Sequence, residues 1–242
     1  MISTFANPHR FMSVSKPAIP ILFAAAALLI GVGVYQGLFV APADYRQGDA
    51  ARIMFVHVPA AWVCMAAYAS MAAASFSSLV WRHNLADLAA KSAAPAGAAF
   101  TLICLATGSL WGKPIWNTWW EWDARMTSVL VLFFLYLGYM AIWRAYETPQ
   151  TAARAAAILC LVGAINLPII KFSVDWWSTL HQPASVLRAD GPSMPASYLT
   201  PLLTVALGYL ALFLAATLTG MRAEVYARRA EIMMQRRVAA EG

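Results

Sequence analysis

The chain has 242 residues, of which 61% are hydrophobic and only 12% charged, and its mean hydropathy is +0.62. An ordinary soluble domain carries about 25% charged residues, so a water-soluble globule is excluded, and with it a disordered or acidic solvating chain. The 17 Lys and Arg against 11 Asp and Glu leave a formal charge of +6, which a mostly apolar chain must carry at the ends of its apolar segments.

A bilayer core needs about 20 apolar residues of helix to cross it. Six such runs occur in order: Ala18 to Val40, Val58 to Val80, Ala89 to Leu110, Thr127 to Trp143, Ala155 to Ile170 and Tyr198 to Gly220. The first follows Arg10 and Lys16 and is followed by Ala41-Pro42-Ala43, which has the look of a signal-peptide cleavage site. Its apolar core is too long for a signal peptide, so it is read as an uncleaved anchor. The fifth is short and carries Asn166 and Pro168, which predicts an end that breaks or lies within protein rather than lipid. The three cysteines, Cys64, Cys104 and Cys160, fall in separate apolar runs with no paired spacing, as small buried hydrophobes do.

Lys and Arg of short loops are retained on the cytoplasmic side. Eleven of the 17 fall in the N-terminus, the second loop, the fourth loop and the C-terminus: Arg10, Lys16, Arg82, Lys91, Arg144, Arg154, Arg222, Arg228, Arg229, Arg236 and Arg237. Both termini are therefore expected in the cytoplasm. The sequence predicts an all-α polytopic protein over 1–242, one six-helix transmembrane domain with a Trp-rich outer segment at 111–126. The basic tail beyond Arg222 reads as an extension of the last helix against anionic lipid or a partner, rather than a nucleic-acid site.

Function is then expected in the outer loops. His9 and His83 lie in cytoplasmic segments among basic residues, where an exposed histidine needs no role. His57 and His181 are expected at the outer face, each two residues before a proline, in His57-Val58-Pro59 and His181-Gln182-Pro183. Proline there favours a helix start or a turn, so each imidazole would sit on stiff backbone, structural or ligating. Between them in sequence lies Trp111-Gly112-Lys113-Pro114-Ile115-Trp116-Asn117-Thr118-Trp119-Trp120-Glu121-Trp122-Asp123-Ala124-Arg125, with five of the ten tryptophans of the chain. An interfacial belt accounts for one or two of these, less well for five in one loop. If this segment is helical, Trp116, Trp119, Trp120 and Asp123 share a face and form a flat aromatic shelf. A large planar ligand stacks on such a shelf, and Arg52 first, with Arg125 and Arg188 next, are candidates to hold its carboxylates.

Two imidazoles, an aromatic shelf and basic neighbours are what heme asks for: axial ligands, stacking and partners for the propionates. Zinc asks for more closely spaced ligands, and only Asp123 offers itself. Asp123 is open to a structural role, through a Trp indole or Arg125, or to a bond with a ligand.

At these residues the sequence resembles a known family. WGKPIWNTWWEWDARMTS is similar to the tryptophan-rich "WWD" signature of the heme-handling membrane proteins of cytochrome c maturation, and six spans with flanking outer histidines resemble the CcmC family. Its larger relatives, CcmF and CcsA, have more spans and further histidines. The resemblance implies a bacterial inner-membrane protein that binds heme b at its periplasmic face, with His57 and His181 as axial ligands of the heme iron and Trp116, Trp119, Trp120, Trp122 and Asp123 as the platform. It also implies delivery of heme to the chaperone CcmE, together with the transporter subunits CcmA and CcmB and the small protein CcmD, and no catalytic turnover.

Three other classes are compatible with a polytopic chain. A diheme cytochrome b anchor would place histidine pairs inside spans at two depths, and no histidine is predicted inside a span here. A hydrolase needs a nucleophile with a base in reach, yet Ser109 has only the outer histidines near its depth. A permease would place ionisable residues along a path through the helices, and the spans are nearly free of them.

Overall fold

A computed structural model of the protein describes residues 7–183, 185–186 and 188–241. The helices in chain order are α1 (Pro8–Tyr35), α2 (Met54–Trp81), α3 (Asn84–Trp116), α4 (Ala124–Ala145), α5 (Pro149–Gly163), α6 (Asn166–Trp176) and α7 (Ala196–Glu241). A π-helical turn, Gln36–Val40, continues α1, and a 3₁₀ turn, Asp49–Ile53, leads into α2. Among the described residues, six helical segments are long and apolar enough to cross a membrane, with α5 and α6 forming one of them. The protein is a multi-pass membrane protein of six spans, as the apolar runs predict.

The helix ends follow local chemistry. Pro8 opens α1 behind Asn7, whose side chain accepts from the His9 amide at 2.9 Å, since proline needs no intrahelical donor at that position. Arg82 closes α2 in the left-handed region (φ 49°). His83, expected to have no role, caps α3 through the Leu85 amide. The predicted break in the fifth span is found at Ala164 and Ile165. Just beyond it the buried Asn166 donates from Nδ2 to the Ser128 carbonyl of α4 at 2.8 Å, so a polar group at membrane depth is satisfied inside the protein.

Several boundaries differ from the sequence reading. The first helix begins at Pro8 rather than Ala18, because Lys16 and Arg10 belong to an extension of it beyond the apolar run. The last continues unbroken for 46 residues, or roughly 70 Å at the α-helical rise. The fifth span ends at Trp176 rather than Ile170, because α6 carries Lys171 to Trp176.

α2 and α3 pack along their lengths and form the centre with α4, α5 and α7, while α1 lies mainly against α7. The centre is built from large rings set into small-residue notches, the way helices approach closely in lipid. Tyr136 lies against Gly97, and its hydroxyl donates to the Cys64 carbonyl at 2.6 Å. Tyr68 meets Tyr136 edge-on, with centroids 5.1 Å apart. All three cysteines are free and buried here, as expected. At the end opposite His57 and His181, Lys91 pairs with Glu224 at 2.7 Å and lies over the Trp143 ring, and Arg228 pairs with Asp87 at 2.9 Å. These contacts join α7 to α3 and α4.

Candidate functional site

His57 is the fourth residue of α2, within the first turn rather than ahead of the helix, so Pro59 lies inside α2 and does not mark its start. The ring points at α3. Its Nδ1 is 3.0 Å from the Cys104 carbonyl and 3.1 Å from Thr107 Oγ1. The Thr107 hydroxyl donates to the Ile103 carbonyl at 2.6 Å, so towards the ring it offers only a lone pair. Both neighbours of Nδ1 are acceptors, which places the proton on Nδ1 and leaves Nε2 with a free lone pair. Gly108 makes room: a Cβ there would lie 2.9 Å from His57 Cε1. Trp111 closes the cradle edge-on at 5.7 Å and is steadied by its indole donating to Gln47 Oε1 at 3.0 Å.

Cys104, Thr107, Gly108 and Trp111 follow i, i+3, i+4, i+7 along α3, one face of a helix. The sequence reading did not single out Cys104, Thr107 or Gly108 as site residues. Their role depends on α2 packing against α3 about 50 residues further along the chain, and only their common helical face hinted at it.

His181 is on the irregular segment between α6 and α7 and comes to the same tautomer by another route. Its Nδ1 lies 3.2 Å from Asp123 Oδ2, an acceptor, so Nε2 is again free. Burial holds the imidazole below its ordinary value of 6.5, against the pull of the Asp123 carboxylate, and the unprotonated ring is the form that ligates metal. Trp116, the last residue of α3, meets the ring at 5.2 Å with the planes inclined by 60°. His57 meets Trp111 and His181 meets Trp116, five residues apart on α3, which brings the two histidines to one end of that helix.

The tryptophan segment is helical only as far as Trp116. α3 stops at Trp116 because Asn117 turns into the left-handed region (φ 59°), which asparagine tolerates better than most residues. Residues 117–123 then run as an irregular chord to the start of α4. The helical face expected for Trp116, Trp119, Trp120 and Asp123 is therefore not formed. The chord is held by Ser109, which donates to the Trp119 carbonyl at 2.6 Å, and by Thr118, which donates to the Trp120 carbonyl at 2.8 Å. Trp119 and Trp122 are 54% and 74% exposed, large apolar rings offered outward. Trp120 packs edge-on against Trp122, and its Nε1–H is buried without an acceptor among the described residues. A buried donor without a partner costs about 1–3 kcal/mol, which an incoming carboxylate or other acceptor would relieve.

The three arginines fare differently. Arg125, in the first turn of α4, donates to Ser173 Oγ at 3.0 Å and to the Lys171 carbonyl at 3.4 Å, and stands two residues from Asp123, whose carboxylate meets the His181 ring. Arg52 donates to the carbonyls of Gly37 and Leu38 and pairs with Asp49 at 2.8 Å, binding the π-helical turn to the 3₁₀ turn. Arg188 is exposed beside Asp190 at 3.9 Å. Proximity thus favours Arg125 over the other two.

A site with two imidazole donors is short of ligands for a bare metal ion, and among the described residues no group of three or more His, Cys, Asp or Glu gathers to hold one. An iron porphyrin brings four nitrogens of its own and needs only axial ligands. Two Nε2 atoms without a partner among the described residues, outward-facing tryptophans, a buried indole donor and a neighbouring guanidinium fit such a group.

The sequence matches the family described as CcmC, heme exporter protein C, over residues 1–236. It is 58% identical to heme exporter protein C of Bradyrhizobium diazoefficiens over 224 residues, covering 93% of this chain and 85% of that one. It is 49% identical to the Escherichia coli K12 protein of the same name over 217 residues (90% and 86%), and 45% identical to that of Haemophilus influenzae over 221 residues (91% and 90%). The chain belongs to the heme exporter protein C family.

Proposed function

We propose that the protein handles heme as cargo in cytochrome c maturation. In this reading it binds heme b at the periplasmic face of the bacterial inner membrane and presents it to the chaperone CcmE, acting with CcmA, CcmB and CcmD and without turnover of its own. Family membership supports the heme-transport role. The observation that carries the binding site is the matched state of the two imidazoles, whose Nδ1 protons are committed to protein acceptors and whose Nε2 atoms are not.

The residues then divide the work. His57 and His181 ligate iron, the chemistry of which belongs to the bound heme. Trp116, Trp119, Trp120 and Trp122 supply the aromatic wall, and the Trp120 indole offers a bond to an acceptor at its edge. Arg125 is the first partner for a propionate, because it stands two residues from Asp123 beside His181, with Arg52 and Arg188 behind it. The exposed Trp119 and Trp122 leave one side of the site open to a partner protein.

The test is the absorption spectrum of the purified protein, oxidised and dithionite-reduced, for the unaltered chain, His57→Ala and His181→Ala. A low-spin six-coordinate spectrum that each substitution weakens or converts is expected. A heme-free protein, or two variants with unchanged spectra, would overturn the assignment.

A further inference from the structure

We propose that Asp123 is a positioning residue that sets the tautomer of His181 and makes it the stronger of two unequal ligands; the ligand half of this statement rests on the function proposed above. Asp123 is buried and its two carboxylate oxygens do different things. Oδ1 accepts from the Met126 amide at 2.7 Å and so caps α4. Oδ2 accepts from the Leu180 amide at 3.3 Å and from His181 Nδ1 at 3.2 Å. The nearby Arg125 bonds to Ser173 and to the Lys171 carbonyl, which leaves Oδ2 to the His181 ring and the Leu180 amide.

The consequence is both mechanical and electronic. His181 belongs to a segment without helix, where its own amide is held by Thr179 Oγ1 at 3.0 Å. The carboxylate ties its ring to the first turn of α4, 58 residues away in sequence. An anionic acceptor on Nδ1–H also raises the basicity of the opposite nitrogen. His57 is held by a carbonyl and a hydroxyl, both neutral. The pair is therefore asymmetric, with the anion-backed ligand on the loop and the neutral-backed one on the helix.

Asp123→Asn separates this role from the cap. Asparagine keeps an oxygen for the Met126 amide, since it caps helices as well as aspartate does, and it presents an NH₂ group where Oδ2 stood. That donor meets the Nδ1 proton of His181 and favours the other tautomer, with the proton on Nε2, as replacement of a histidine-orienting aspartate by asparagine does elsewhere. Asp123→Ser is the second variant, keeping a capping oxygen and removing the acceptor.

The first readout uses heme-free protein in nanodiscs with ¹⁵N-labelled histidine. The unaltered chain should show His181 protonated at Nδ1, and Asp123→Asn should move the proton to Nε2 while His57 keeps its signal and thermal unfolding changes little. The second readout is heme retention, expected to fall about 10- to 100-fold in either variant, with the low-spin spectrum of Asp123→Asn recovered by added imidazole. An unchanged His181 tautomer in Asp123→Asn overturns the proposal, as does full heme retention in both variants when His181→Ala loses heme. If the tautomer moves but His181→Ala retains heme like the unaltered chain, positioning by Asp123 stands and ligation by His181 falls.

Discussion

His57 and His181 present the same nitrogen by different means, one set between two helices and the other tethered to a helix start. The fit around His57 turns on Gly108, where a Cβ would lie 2.9 Å from Cε1 of the ring. Gly108→Ala should push the imidazole off its acceptors and lower bound heme per protein several-fold, while far-UV circular dichroism stays unchanged; a heme content equal to the unaltered chain would show that the ring has room to spare. The histidines, tryptophans and Asp123 are conspicuous in the sequence because such residue types are rare in apolar chains. Cys104, Thr107 and Gly108 are not, because a backbone carbonyl, a hydroxyl and an absent side chain acquire their meaning only when α2 lies against α3. The arginines show the complementary problem: their charge was apparent, but Arg52 is taken up by the carbonyls of Gly37 and Leu38, and no local pattern announces that.

Among the helices, the apolar runs gave all six spans because hydropathy over a bilayer's width is a strong constraint. Helix ends were harder to read. At the tryptophan segment, i, i+3, i+4 spacing alone could not outweigh a single Asn117 in the left-handed region, which costs most other residues about 1–2 kcal/mol. The broken fifth span was readable from Asn166 and Pro168, since a polar amide in an apolar run needs an internal partner. That partner is the Ser128 carbonyl. Asn166→Leu should therefore lower stability by about 1 kcal/mol, measured as a lower midpoint of thermal unfolding in detergent, while the absorption spectrum of bound heme stays as it was. A changed spectrum would mean that the α5–α6 break reaches the histidines.

In the molecule as a whole, the two ends are built differently. The histidine end is a set of turns and chords around aromatic rings, whereas the opposite end is tied by ion pairs and by Arg222, which donates to the Met12 carbonyl and to Ser15 Oγ across α7 and α1. α1 and α7 meet through reciprocal notches. A Cβ at Gly33 would lie 2.7 Å from Val205 Cγ2 and 2.9 Å from the Val205 nitrogen, and one at Gly208 would lie 2.9 Å from the Ile30 nitrogen. Backbone atoms cannot move aside as side chains do, so Gly33→Val should cost at least the 1–3 kcal/mol typical of overpacking. Thermal unfolding should show that loss, and an unchanged midpoint would mean that the pair tolerates separation. This pairing also has a bearing on how the chain is made. α1 is matched to a helix made about 160 residues later, and at ordinary rates of synthesis on the order of ten seconds separate the two. For that interval α1 stands in lipid with its glycine notch unfilled, and arrival of α7 fills it.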